Sequence, residues 1–176
     1  HGIVSTANYY YSPDFNQMDH EISAMYKIEF SNRTIIDAGF KDFYTLLNRD
    51  FDPTHISNTV LAKGTDYAYR VGFIDYFSDT RALLNYSATL TRGSFYNGNI
   101  GSLGGYVTYR YQPYLNLTIN FSYTDMNLPA PFEQSRFWLV GPKLDLTLSD
   151  KVFFSSFVQY NEQIDNMNIN MRFQWR

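Results

Sequence analysis

At 176 residues the chain is long enough for one domain of ordinary size, and a net charge of −3 leaves no basic footprint for nucleic acid. The absence of cysteine excludes a disulfide framework and any thiolate metal site, and His1, His20 and His55 share no metal-ligand spacing. Aromatic residues make up 19% of the chain, against 18% charged, with tyrosine in an excess that suits a boundary between apolar and aqueous surroundings.

Alternation predicts ten strands, near 3–11, 20–30, 34–47, 66–77, 82–92, 102–112, 115–125, 136–148, 152–161 and 167–176. Side chains on a strand point to opposite faces in turn, so each alternating run has one apolar and one polar surface. In the second strand Ile22, Ala24, Tyr26 and Ile28 oppose Glu21, Ser23, Lys27 and Glu29. In the fourth, Tyr67, Tyr69, Val71 and Phe73 oppose Asp66, Ala68, Arg70 and Gly72. The fifth sets Leu84, Tyr86, Ala88 and Leu90 against Asn85, Ser87, Thr89 and Thr91. The seventh is the most regular, with Leu115, Leu117, Ile119, Phe121 and Tyr123 against small polar residues. Leu144, Leu146 and Leu148 oppose Lys143, Asp145 and Thr147 in the eighth, and the tenth sets Met167, Ile169, Met171, Phe173 and Trp175 against Asn168, Asn170, Arg172 and Gln174. Strands one, three and nine carry aromatics on both parities.

The links after strands two, four, six and eight are turn-like (Ser31-Asn32-Arg33, Ser78-Asp79-Thr80-Arg81, Pro113-Tyr114, Ser149-Asp150-Lys151), while 12–19, 48–65, 93–101 and 126–135 read as longer loops. No apolar run approaches the ~18 residues of a membrane-spanning helix, but the strands reach the ~9–11 residues of a spanning strand. Aromatics flank both sets of links: Phe30, Tyr76, Phe77, Tyr111, Tyr114, Phe153 and Phe154 at the short ones, Tyr11, Tyr67, Phe95, Tyr96, Tyr123, Phe137, Trp138 and Tyr160 at the long ones. The expectation is all-β: an antiparallel up-and-down transmembrane β-barrel in the bacterial outer membrane, with tight periplasmic turns and longer external loops. Residues 1–176 form a single domain, expected to be a fragment of a larger barrel, incomplete at both ends.

The stretch from 93 to 176 also resembles a Bacteroidota-type outer-membrane family, through Gly93-Ser94-Phe95-Tyr96-Asn97-Gly98, Asn127-Leu128-Pro129-Ala130-Pro131, Leu139-Val140-Gly141-Pro142-Lys143-Leu144, Phe157-Val158-Gln159-Tyr160-Asn161 and Asn168-Ile169-Asn170-Met171-Arg172-Phe173-Gln174-Trp175-Arg176. In that family a C-terminal β-barrel domain of unassigned function follows a domain like family 9 carbohydrate-binding modules. The resemblance implies an integral outer-membrane protein with further strands past Arg176 and a sugar-binding domain upstream. It implies no catalytic mechanism.

By parity, Glu21, Lys27, Glu29, Arg70, Arg110, Lys143, Asp145, Asn168, Asn170 and Arg172 should face the lumen, where charges either set selectivity or pair across strands. Leu115, Leu117, Ile119, Phe121, Ile169, Met171 and Phe173 should face lipid. The amides Gln159, Asn161, Asn166, Asn168 and Asn170 either wet a lumen wall or bond sugar hydroxyls. The loop carrying Leu128, Pro129, Pro131 and Phe132 is stiff and apolar, either a docking point for an envelope partner or a flap over its own rim. Ser94, His55 and Asp52 are a hydrolase constellation only in residue type, with no nucleophile elbow. The glycines of 98–105 lack the lysine of a phosphate loop. The expected function is therefore non-enzymatic and cofactor-free: a barrel in contact with outer-membrane lipid that passes or captures a solute such as a glycan. The alternative is an accessory barrel subunit of a larger transport, secretion or assembly complex.

Overall fold

A computed structural model describes residues 1–54, 59–132 and 134–176. Ten strands follow one another: β1 Gly2–Tyr11, β2 Gln17–Glu29, β3 Ile35–Leu46, β4 Asp66–Phe77, β5 Leu84–Phe95, β6 Gly98–Tyr111, β7 Leu115–Asn127, β8 Ser135–Thr147, β9 Val152–Asn161 and β10 Asn166–Trp175. They form one antiparallel sheet whose spatial order is the sequence order. β1 pairs only with β2 and β10 only with β9, so the sheet is up-and-down but not closed.

Register carries each face from strand to strand. Ile3, Tyr26, Ala38, Ile74, Leu90, Leu103, Tyr123 and Trp138 follow one row across β1 to β8. On this face, apart from Val4, Tyr10 and Phe157, lie all the large apolar strand side chains that are exposed. The buried strand residues Asp37, Val71, Asn85, Ser87, Thr108, Met126 and Ser135 all lie on the other, mostly polar face. Among the described residues, no second layer of strands or helices packs on either side. Only curvature, helped by links folded against the ends, then shelters one face, so the sheet curls toward its polar side.

The links at one end are 30–34, 78–83, 112–114 and 148–151; at the other they are 12–16, 47–65, 96–97, 128–134 and 162–165. The expected contrast in loop length thus survives mainly at 47–65 and 128–134. The 93–101 stretch corrects the sequence reading most: it is a hairpin around Tyr96 and Asn97, with Tyr96 at φ 49°. Its glycines look like loop residues but are strand residues. A β-carbon at Gly93 would meet the Arg70 carbonyl, and one at Gly98 the Asn127 carbonyl, so close backbone approach excludes any side chain there.

Candidate functional site

The polar face carries its charges in two groups. β2, β3 and β4 supply Asp19, Glu21, Glu29, Asp37 and Asp75 with Lys27 and Lys41. Here Lys41 bonds Glu21 at 3.2 Å and Lys27 bonds Asp37 at 3.6 Å. Asp37 and Asp75 stand directly opposite each other, and Asp37 Oδ1 is buried without a hydrogen bond. Acid outnumbers base on this side.

Across β6 to β10 the balance reverses. Arg110, Asn116, Asp145, Ser155 and Arg172 lie in one register row near the tight-turn end. Asp145 accepts from the Ser155 hydroxyl at 2.6 Å and pairs with Lys143 at 3.1 Å. Arg110 and Arg172 have no ion-pair partner among the described residues. Two depressions adjoin at Asp145 and Thr147, one of about 490 Å³ reaching Arg110 and one of about 240 Å³ reaching Arg172. An anionic group entering either meets an arginine whose charge is not already balanced. The amides Asn166, Asn168, Asn170, Gln159 and Asn161 continue the same polar face.

At the other end, the described parts of the β3–β4 link, 47–54 and 59–65, fold back on the sheet. Leu47, Thr54 and Leu61 are buried, Phe51 bridges to Leu61, and Gln163 Nε2, beyond β9, donates to the Thr54 carbonyl at 2.8 Å. This tie joins the β3–β4 link to the β9–β10 link. Phe51 of the β3–β4 link joins the Phe43, Tyr67, Tyr69, Phe95 and Tyr96 rings in a chain of contacts with centroids 4.7 to 5.7 Å apart. Burial pushes the Tyr96 hydroxyl above its ordinary pKa, and the Asp19 carboxylate adds to this. Losing the tie in Gln163→Ala should free the loop by about 1 kcal/mol, the worth of an ordinary hydrogen bond. Limited proteolysis within 47–65 should then run about fivefold faster. An unchanged rate would assign the loop's position to ring packing alone.

By register, Glu21, Lys27, Glu29, Arg110, Lys143, Asp145, Asn168, Asn170 and Arg172 share the polar face, and Leu115, Leu117, Ile119, Phe121, Ile169, Met171 and Phe173 share the apolar one. Arg70 is the exception. It pairs in register with Asp42 beside Ile22 on the apolar face and bonds that carboxylate at 2.7 Å. The alternation of β4 misled because Tyr67 and Tyr69 belong to the ring cluster under 47–65; a sheltered aromatic stripe and an outward one look alike in sequence.

The link at 128–134 divides its four apolar residues between the surface and the interior. Leu128 is 4% exposed and turns inward, leaving Pro129 and Pro131 at the surface with Phe132 half-buried, so the four residues do not form one apolar tip. Among the described residues, no hydrogen bond links Ser94 to Asp52. Ser94 Oγ accepts from the Arg70 N–H at 2.8 Å and donates to the Arg70 carbonyl at 3.1 Å, extending the β4–β5 ladder where backbone pairing stops at Val71 and Gly93. Asp52 caps Thr54 at 2.6 and 2.8 Å, and His55 lies outside the described residues. No family model, curated protein or solved structure matches the chain.

Proposed function

We propose that this sheet is part of the wall of an outer-membrane β-barrel, its apolar face toward lipid and its polar face lining a lumen that admits small hydrophilic solutes. The observation that carries this is the distribution of exposure: the apolar side chains are the exposed ones, and the buried strand residues belong to the polar face. A water-soluble monomer rarely leaves so large an apolar surface bare. On the apolar face the rings also sort by depth, with Tyr76, Tyr86, Tyr109 and Tyr111 toward the tight turns and Tyr9, Tyr123, Trp138 and Tyr160 toward the other end. Aliphatic residues such as Ile74, Leu90, Val107 and Ile119 fill the space between, as expected of two aromatic girdles around a hydrocarbon band.

Strand length suits the same reading. A strand of 13 residues such as β7 is roughly 44 Å long. Tilted ~40°, it rises about 34 Å, more than the ~25 Å apolar band of such barrels. Unpaired sheet edges are not tolerated in hydrocarbon, so β1 and β10 would pair with further strands in the membrane. The family resemblance read from residues 93–176 agrees with this, and its companion sugar-binding domain makes a glycan the favoured solute, with the amide row on β9 and β10 as a surface for hydroxyl groups.

In planar bilayers the full-length protein is expected to conduct. Charge on opposite lumen walls biases which ions enter. The double variant Arg110→Gln/Arg172→Gln should therefore move the reversal potential in a salt gradient toward cation preference. Absence of conductance and solute flux would refute solute passage. That result would favour the second reading, an accessory barrel subunit of a larger envelope complex, for which the ion-paired charges and the 47–65 cover are the specific support.

A further inference from the structure

The apolar face is not apolar to its edge. At the end away from the tight turns it carries Asp42 and Arg70 on β3 and β4, then Arg92, Gly101, Asp125 and Arg136 in one register row across β5 to β8. Arg70 is neutralised by Asp42. Arg136 bonds Asp125 at 3.2 Å, and Gln134 donates to the other oxygen of that carboxylate at 2.8 Å. Arg92 is exposed and has no carboxylate partner among the described residues. It borders a depression of about 670 Å³ on this face. The depression exists because Gly101, between Arg92 and Asp125, has no side chain; a β-carbon there would touch nothing within 4 Å.

Three successive rows meet at this notch. Toward the strand centres lie Leu90, Leu103 and Tyr123, in the middle Arg92 and Asp125, and toward the strand ends Asn99 and Asn127. Rows on one face are spaced by two residues, or roughly 7 Å. The surface therefore passes from aliphatic through cationic to amide over about the depth in which a membrane passes from acyl chain to headgroup. Resting on the membrane reading above, we propose that this notch holds the phosphate-bearing headgroup of a membrane lipid. Arg92 binds the phosphate by charge-assisted hydrogen bonds, Asn99 and Asn127 take the polar groups above it, and the acyl chain runs down over Leu90 and Leu103. The Gly101 gap is what admits the headgroup between strands that otherwise present side chains.

The test uses the full-length protein in detergent, titrated with phosphatidylglycerol and followed by native mass spectrometry, beside Arg92→Gln and Gly101→Leu. The first variant removes the charge; the second keeps it and fills the gap at a position with open space. Both are expected to weaken lipid adducts about tenfold or more, while Arg33→Gln, in the β2–β3 turn, leaves them unchanged. Equal binding by wild type and both variants would overturn the site, as would equal retention of inorganic phosphate, which would assign Arg92 to a free anion. Insertion into phosphatidylcholine vesicles is measured in parallel. A protein that inserts but shows no dependence on Arg92 and Gly101 loses this inference alone; one that does not insert loses the membrane reading with it.

Discussion

With the apolar face in lipid, as proposed, Ile119→Arg is expected to destabilise the protein by about 2–4 kcal/mol, the cost of an arginine near the bilayer midplane. The folded, inserted fraction then falls on the order of 30- to 1000-fold at equilibrium. Asn120→Arg, one residue on, points to the polar face and should cost only about 1 kcal/mol, from losing the Asn120 bond to the Gly141 carbonyl at 3.3 Å. Urea titration in vesicles or micelles, followed by tryptophan emission and electrophoretic heat-modifiability, gives both numbers. The contrast discriminates because the sign depends on the surroundings. Ile119 is 41% exposed. Were the face in water, arginine there would improve solubility and leave stability almost untouched. A neutral or beneficial Ile119→Arg would end the lipid assignment for the whole row.

Gly93→Ala should be strongly damaging for a single added methyl. The added carbon would run into the Arg70 carbonyl and Val71 Cα of the neighbouring strand, both backbone atoms that cannot swing aside. Overpacking of this kind costs typically about 1–3 kcal/mol, and more when only main chain can yield. The β4–β5 ladder already stops at this pair, with Ser94 supplying the next bonds, so strand separation should propagate toward Phe95 and the 47–65 loop. Gly101→Ala, which meets open space, should be nearly silent by the same unfolding assay. Equal effects at the two glycines would show that backbone freedom rather than close approach selects glycine in this hairpin.

These two glycines mark the boundary of what could be read without coordinates. Both lie in a stretch whose composition suggests a loop, yet one is required by contact with the next strand and the other shapes a surface notch. Composition reports flexibility; it does not report which backbone lies alongside. Arg70 illustrates the same boundary for charge. Its flanking tyrosines alternate as an outward apolar stripe would, and only the pairing with Asp42 and Ile22 places it on the apolar face. The polar rows of β2, β7, β8 and β10 were legible because each strand there has a single aromatic or aliphatic parity.

The sequence by itself determined the number of strands, their antiparallel order and the faces of the strongly alternating ones, because a period of two is a local property that neighbouring residues reveal. The tertiary structure decided the β5–β6 hairpin, the inward turn of Leu128, the tie from Gln163 to the Thr54 carbonyl, and the gathering of acidic side chains on the polar face of β2–β4 and of basic ones on that of β6–β10. Each of these depends on register, which sets together residues far apart in the chain and leaves no periodic trace within any one strand.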